Sequence, residues 1–301
     1  MNKDVIHVPV MPREIVEFLN PAAGGIFLDG TLGLAGHSTL IAQKIGDSGH
    51  LIGLDRDGQS LALAREHLSF FRGKLDLVQS NFSDMDAVLK RLGVEQVDGM
   101  VFDLGISSYQ LDGEQRGFSF KAQGPLDMRM DQTNPVSAQN LVNDLSEEDL
   151  ANIIFEFGEE RYSRRIARSI VQYRKRQRLT TAKELEEIIF TSVPVSYRRQ
   201  KIHPATRTFQ ALRIAVNREL DSLAELMEKF VERLKVGGRI AVISFHSLED
   251  RIVKEKFKEL SKKNEVSLLF KKPLRPRDDE ININSRARSA RLRVAERMAC
   301  N

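Results

Sequence analysis

Three aspartates stand where a short apolar run gives way to a turn. Asp29 follows Ile26-Phe27-Leu28, Asp55 follows Leu51–Leu54, and Asp103 follows Gly99–Phe102. An open parallel sheet binds ligands at the carboxyl ends of its strands, so acids placed there are candidates for ligand contact. Asp29 opens the turn Gly30-Thr31-Leu32-Gly33-Leu34-Ala35-Gly36-His37-Ser38. Its Gly-x-x-Gly-x-x-Gly spacing lets backbone approach a bound molecule. It is neither the Gly-x-Gly-x-x-Gly of dinucleotide folds nor a P-loop, because no Gly-Lys-Ser/Thr follows. Asp55, 26 residues after Asp29, can accept both hydroxyls of a ribose. Asn81-Phe82 follows a third run, Leu75–Gln79, and places an aromatic where it can flank an adenine. A glycine turn with a strand-end acid suits a nicotinamide dinucleotide or S-adenosylmethionine. Asp29 separates the two: it repels a pyrophosphate and attracts a sulfonium and an ammonium, by roughly several tenths to a few kcal/mol. An Asp29 that only orders the turn is the alternative.

Asp103-Leu-Gly-Ile-Ser-Ser-Tyr-Gln110 suggests amine chemistry. An exocyclic amine on a nucleobase is a poor nucleophile because its lone pair is delocalised into the ring. A carboxylate accepting its N–H moves that lone pair toward an alkyl donor, and the transfer needs orientation and charge complementarity without a metal. The Asp/Asn/Ser-Pro-Pro-Tyr/Phe string typical of amino methylation is missing, so a plain turn acid is the competing assignment for Asp103. Histidines and acids elsewhere have irregular spacing, and no metal site is expected.

Positioning these groups requires alternating strands and helices. Helical patterns over 12–19, 37–45, 59–71 and 84–92 alternate with the four strand-like runs, which predicts βαβ units and a mostly parallel, doubly wound sheet. The rhythm breaks after Asp103. Residues 111–214 show helical segments around 147–157, 163–176, 182–191 and 206–218 and no convincing strand, with capping-box spacings at Ser146/Asp149 and Thr181/Glu184. It returns with a helix over 221–234 stopped by Gly237-Gly238, a strand over 239–244, a helix over 248–260 and a strand over 266–270. The expected organisation is one discontinuous domain, 1–110 with 215–301, and an inserted helical domain, 111–214. Residues 271–285, with mixed charges and two prolines, read as a mobile loop, and 284–293 as a basic tail.

The net charge of +4 hides an asymmetry: Arg161 to Arg218 holds 15 Lys/Arg and 3 Asp/Glu, and Lys271 to Arg297 holds 9 and 4. Two basic segments on an acidic body suit a polyanion, since each neutralised phosphate releases counterions; a solvated basic helix face is the alternative. No run of 18 apolar residues exists, so no membrane span is expected. The single cysteine, Cys300, rules out a disulfide framework within the chain and fits a reducing, cytoplasmic setting.

Seven strings occur in fixed order: Asp-Gly-Thr-x-Gly-x-x-Gly-His-Ser (29–38), Asp-Leu-Gly-Ile-Ser-Ser-x-Gln (103–110), Arg-Gly-Phe-Ser-Phe (116–120), Gly-Pro-Leu-Asp-Met-Arg-Met (124–130), His-Pro-Ala-Thr-Arg-Thr-Phe-Gln-Ala-Leu-Arg-Ile (203–214), Ser-Phe-His-Ser-Leu-Glu-Asp (244–250) and Arg-Ala-Arg-Ser-Ala-x-Leu-Arg (286–293). With them the chain, from about His7 to Arg297, resembles the MraW/RsmH family of bacterial ribosomal RNA methyltransferases. The resemblance implies a Rossmann-like class I methyltransferase core and S-adenosylmethionine-dependent N4-methylation of a cytidine in the decoding region of small-subunit ribosomal RNA. By position it implies a cofactor site of Ala35, Gly36, His37, Asp55, Phe82, Asp103 and Gln110, to which the reading of the turn and strand ends adds Asp29 and Gly33 and a catalytic role for Asp103. The expected partner is that RNA or a partly assembled small ribosomal subunit, contacted by Arg129, Arg164, Arg165, Arg198, Arg199, Lys201, Arg207, Arg286 and Arg288; a homodimer is allowed. Ala35 departs from the family's usual Gly-Gly-His, at about 1 kcal/mol if the position needs a positive φ. Gln123 replaces the common Asp before Gly-Pro-Leu. A nicotinamide oxidoreductase and a non-catalytic RNA-binding assembly factor are the competing functions.

Overall fold

The computed structural model describes residues 9–120 and 123–299, which leaves Cys300 outside. The chain forms two compact units, one made of the residues up to Gly105 and from Leu220 onward, the other of Ile106–Glu219.

In chain order the elements are α1 (Pro12–Leu19), β1 (Ile26–Asp29), α2 (Gly36–Ile45), β2 (His50–Asp55), α3 (Gly58–His67), β3 (Lys74–Gln79), α4 (Met85–Arg91) and β4 (Val97–Asp103). The second unit contributes α5 (Ser108–Asp112), α6 (Ala138–Asp144), α7 (Glu147–Gly158), α8 (Ser163–Arg174), α9 (Ala182–Ser192), α10 (Val195–Arg198) and α11 (Ala205–Asn217). The chain then continues through α12 (Glu219–Arg233), β5 (Leu234–Ser244), α13 (Ser247–Lys262), β6 (Val266–Leu268), α14 (Asp278–Ile283) and β7 (Arg291–Arg297).

The seven strands form one sheet in the order β3-β2-β1-β4-β5-β7-β6. β1 to β5 pair in parallel, and β7 runs antiparallel to both β5 and β6. This is the expected Rossmann-like α/β core. Strand residues alternate between two apolar layers, as a period of two requires. Leu28, Met100, Phe102, Ile240 and Val242 pack with α4, α12 and α13 through residues such as Leu89, Phe230 and Phe257. Phe27, Val101, Ala241 and Ile243 pack on the opposite face with α1, α2 and α3 through Ile15, Ile41 and Ala64. Each such buried Val, Leu, Ile, Met or Phe side chain contributes about 1.5–3 kcal/mol. Both faces are covered, so the strand ends are where the unit can offer polar groups to a ligand.

The C-terminal segment differs from expectation. Residues 271–285 are not a bare loop: they contain α14, pinned by the Met11 N–H donating to Glu280 Oε1 at 2.6 Å and by an Arg277–Glu14 pair at 3.4 Å. The basic tail ends in β7, an interior strand. Its arginines alternate with buried Leu292 and Val294, and Arg291 and Arg293 both bind the Asp250 carboxylate, at 3.0 and 2.7 Å. Arginine density masked a period-two apolar pattern. Gly237-Gly238 does not precede a strand but lies inside β5, at a register shift opposite Val97 and Gly99.

In the helical unit, Leu150, Ile154, Ile166, Ile170, Leu185, Phe209 and Leu212 form a separate core. The Thr181/Glu184 capping box forms in full, whereas at Ser146 only the side chain accepting from Asp149 N–H is present. α6 and α10 are short helices that apolar periodicity did not reveal. Asn217 ties α11 to the loop before α6, donating to Met128 O at 2.7 Å and accepting from Met130 N–H at 2.8 Å. α7 ends at Gly158, where a Cβ would stand 2.6 Å from the Arg207 carbonyl oxygen. Backbone cannot move aside cheaply, so overpacking of about 1–3 kcal/mol outweighs the roughly 1 kcal/mol of helix propensity that alanine adds. Gly158→Ala is therefore expected to lower the unfolding free energy in urea titrations; an unchanged or raised midpoint would contradict this close approach.

Candidate active site

β1 lies between β2 and β4, so Asp29, Asp55 and Asp103 end three adjacent strands. The Asp29 and Asp55 carboxylates are tied into the turn that follows β1, and Asp103 is joined to it by its backbone. Asp29 is buried; its Oδ1 accepts from Thr31 N–H at 3.1 Å and its Oδ2 from the Ser38 hydroxyl at 2.7 Å. Asp55 accepts from Gly33 N–H at 2.7 Å and from Asp57 N–H at 2.8 Å. The Asp103 N–H donates to the Thr31 hydroxyl oxygen at 2.6 Å, which joins the β4 tip to the same turn. Gly30 admits no side chain, since a Cβ would meet the Phe102 ring at 2.1 Å.

The turn delivers the chain into α2, whose N-terminus has no side-chain cap. Ala35 holds φ 64° and ψ 29°, the left-handed conformation the sequence pattern made a concern. Left-handed strain costs an alanine about 1–2 kcal/mol. Against it stand the roughly 0.4–1 kcal/mol a glycine loses by its freer unfolded chain and about 0.8 kcal/mol for a buried methyl. Ala35 is fully buried, so these terms nearly cancel. Ala35→Gly is expected to leave the unfolding free energy within about 0.5 kcal/mol of the parent by that balance, checked by denaturant titration; a large gain would mean strain dominates.

His37 is buried on the first turn of α2, with Nε2 3.5 Å from Asp103 Oδ2. Among the described residues, neither of its ring nitrogens has a hydrogen-bond partner, nor does Asp103 Oδ1. Buried polar atoms are rarely left so, and a group of them marks a place built for something else to bind. Burial holds Asp29 above the usual carboxylate range, with the Ser38 hydroxyl and then His37 acting the other way and Asp103 adding repulsion. Burial likewise lifts Asp55 from 3.8 to about 6, against the pull of the Asp57 and Gly33 amides. The site is thus a cluster of acids that would gain from an incoming cation and disfavour a pyrophosphate. Phe82 sits in a 3-10 turn after β3 and meets Phe102 edge-on, with centroids 5.8 Å apart. Asn81 holds that turn by accepting from Ser83 N–H and donating to the Ser222 hydroxyl at 2.7 Å.

Thr31 and Ser38 carry the geometry of Asp103 and Asp29, yet sequence reasoning gave neither a role. Their only signal was their place in the glycine-rich string. Gln110 lies in the helical unit, buried on α5, where its Oε1 accepts from Ser107 N–H at 3.2 Å in a capping box. Of the basic candidates, Arg129 grips Asp127 in a bidentate pair and donates to the Gln132 and Asn134 carbonyls. Arg164 donates to Asn152, and Arg207 to the Glu159 carbonyl. Arg198 donates to the Thr191 and Val193 carbonyls. Arg165, Arg199, Lys201, Arg286 and Arg288 are exposed. Among the described residues no helix is long and apolar enough to cross a membrane.

This sheet, with its acid-lined turn, defines a methyltransferase of the Rossmann-like class. A sequence model of the MraW methylase family matches residues 4–298, and the chain belongs to that family. The ribosomal RNA small subunit methyltransferase H of Brevibacillus brevis is 48% identical over 307 residues, covering 97% of this chain and 98% of the relative. The enzyme of that name from Thermotoga neapolitana is 50% identical over 293 residues, covering 96% and 95%. A solved rRNA methylase structure from Streptococcus thermophilus covers 96% of this chain and 94% of its own, at 13% identity and a TM-score of 0.45.

Because the protonated form of Asp55 is favoured in the folded state, the stability it supplies is complete below about pH 4 and is lost as pH rises through about 6. Asp55→Asn should flatten that fall. Urea unfolding of both proteins at several pH values between 4 and 7 measures it, and parallel curves would refute the raised value.

Proposed function

We propose that the protein methylates the exocyclic N4 amine of a cytidine in the decoding region of small-subunit ribosomal RNA, with S-adenosylmethionine as donor. The observation that carries this reading is the trio of strand-end carboxylates beside the buried His37, whose ring nitrogens, like Asp103 Oδ1, have no hydrogen-bond partner among the described residues. The site fits the donor's chemistry: a cation, a ribose and an adenine each meet a matching group. When bound, S-adenosylmethionine supplies an electrophilic methyl group on a positively charged sulfur. Asp29 and His37, with the Gly33 and Gly36 backbone and the buried Ala35, hold the methionine end. Asp55 accepts from the ribose hydroxyls, and Phe82 flanks the adenine. An Asp29 at this place would repel the pyrophosphate of a nicotinamide dinucleotide, which disfavours that cofactor.

Asp103 is the catalytic residue in this reading. Its Oδ1 accepts an N–H of the amine, localises the nitrogen lone pair and takes up the proton that the amine releases. No metal is needed, because orientation and charge complementarity are what the reaction demands. The target base must leave its stack to be reached, at a cost of a few kcal/mol that contacts to the RNA backbone offset. The basic residues Arg164, Arg165, Arg198, Arg199, Lys201 and Arg207 of the helical unit, and Arg286 and Arg288 of the other, are offered for those contacts. Arg129 is the weakest of the original candidates, because its guanidinium is already engaged within its own loop.

Unmethylated small subunits incubated with labelled S-adenosylmethionine should gain one methyl group, mapped to a cytidine N4 by mass spectrometry. Asp103→Ala should lower that transfer at least about 100-fold while RNA affinity is kept. Normal methylation by this variant, or a methyl group on another atom, would refute the mechanism.

A further inference from the structure

The basic residues of the helical unit are not equivalent, and their contacts sort them. Several are consumed internally: Arg129 by Asp127, Arg168 by Glu147, Arg178 by Asp144, Lys183 by Glu186 and Arg213 by Glu219. Arg174 is spent on the Val142 and Leu145 carbonyls. A different pattern surrounds α10. Arg161 lies over two aromatic rings, 4.9 Å from the Tyr162 centroid and 5.1 Å from that of Tyr197, and it has no carboxylate partner among the described residues. Arg198 lies 5.1 Å over the Phe190 ring, with two of its donors fixed on carbonyls. α10 carries both Tyr197 and Arg198, so the two stacked guanidiniums belong to one small neighbourhood.

The surface beside them is cationic and apolar together. From Ile188 to Arg218 the chain has six Lys/Arg and no Asp or Glu. Arg199 and Lys201 are exposed and form no ion pair among the described residues. Val195 and Ile202 are each 56% exposed. This loop is held from beneath. His203 stacks on Phe120 at 4.7 Å and on Phe190 at 5.9 Å, and accepts from Ala205 N–H. Tyr197 donates to the fully buried Glu160, which raises its pKa to about 12 chiefly by burial and then by that bond. A cationic loop that keeps two large apolar side chains in water, on a rigid base, is organised before any partner arrives.

Resting on the RNA-methylating reading above, we propose that α10 and the loop to α11, with Arg161, form a grip for single-stranded RNA. Arg199 and Lys201 neutralise phosphates. The flat guanidiniums of Arg161 and Arg198, set on their rings, meet phosphates edge-on or bases face-on. Val195 and Ile202 cover unstacked bases, which a duplex would hide. An acidic protein partner would satisfy the charges but gives the apolar pair no specific role, whereas a single strand supplies negative charge and open base faces in alternation.

The test uses the full chain, a fluorescein-labelled single-stranded RNA of about 20 nucleotides and the same RNA annealed to its complement, a length above the roughly 4–16 nucleotides one strand-binding fold covers. Arg199→Ala/Lys201→Ala should weaken single-strand binding about tenfold and lower the slope of log K against log salt by about 1.4, at about 0.7 per phosphate. Val195→Ser/Ile202→Ser should weaken single-strand binding without changing that slope and leave duplex binding alone. Lys175→Ala/Arg176→Ala, on exposed cations at the end of α8, should stay within about twofold by the same counterion reasoning. Equal loss from the α8 pair, or equal binding of duplex and single strand, overturns the proposal. Methyl transfer to small subunits separates the two claims. A parent protein that grips RNA but transfers nothing sinks the enzymatic reading alone. An active parent whose Arg199→Ala/Lys201→Ala variant keeps its KM for subunits sinks the grip alone.

Discussion

Burial of carboxylates at neighbouring strand ends is the constraint around which the strand tips of the first unit are built. Parallel pairing of β2, β1 and β4 brings Asp55, Asp29 and Asp103 to one rim, where burial favours the neutral forms of Asp29 and Asp55. The protein resists this with hydroxyls and amides from a single turn. The Ser38 hydroxyl fastens the central Asp29, the Thr31 hydroxyl accepts from the Asp103 N–H, and the Gly33 amide fastens Asp55. The stabilisation is incomplete, as the raised values at Asp29 and Asp55 record. A positive charge placed beside Asp29 and Asp55 would favour their ionised forms, which is the basis on which a sulfonium donor is proposed.

Much of this was legible from residue types and order. The four strand-end runs, the glycine turn and the apolar alternation of the core follow from period-two and period-3.6 patterns, and the family resemblance rests on strings that cover nearly the whole chain. Ala35 was correctly singled out as a strained position. Its tolerance was not visible, because the offsetting burial of its methyl is a tertiary property. Thr31 and Ser38 escaped attention for a similar reason. A hydroxyl beside a glycine reads as turn chemistry until the strand it reaches is placed next to it.

The errors have a common physical source. β7 was hidden because charged residues at every second position were counted as a tail, while their carboxylate partner, Asp250, sits 41 and 43 residues away in sequence. The 271–285 segment was misjudged because its anchors, Met11 and Glu14, lie at the opposite end of the chain. Net charge was equally blunt in the helical unit. It counted Arg129 and Arg199 alike, although one guanidinium is engaged by its own loop and the other is exposed with no ion pair among the described residues.

The placement of β7 bears on how the protein comes into being. Its final strand does not append to an edge but slots between β5 and β6, which follow one another in the sequence. During translation those two strands emerge with nothing to bridge them, and the gap stays open until residues 291–297 leave the exit tunnel. β5 and β6 therefore cannot complete their pairing on that side before residues 291–297 have been made, so this part of the sheet closes only after both of the strands that flank it exist.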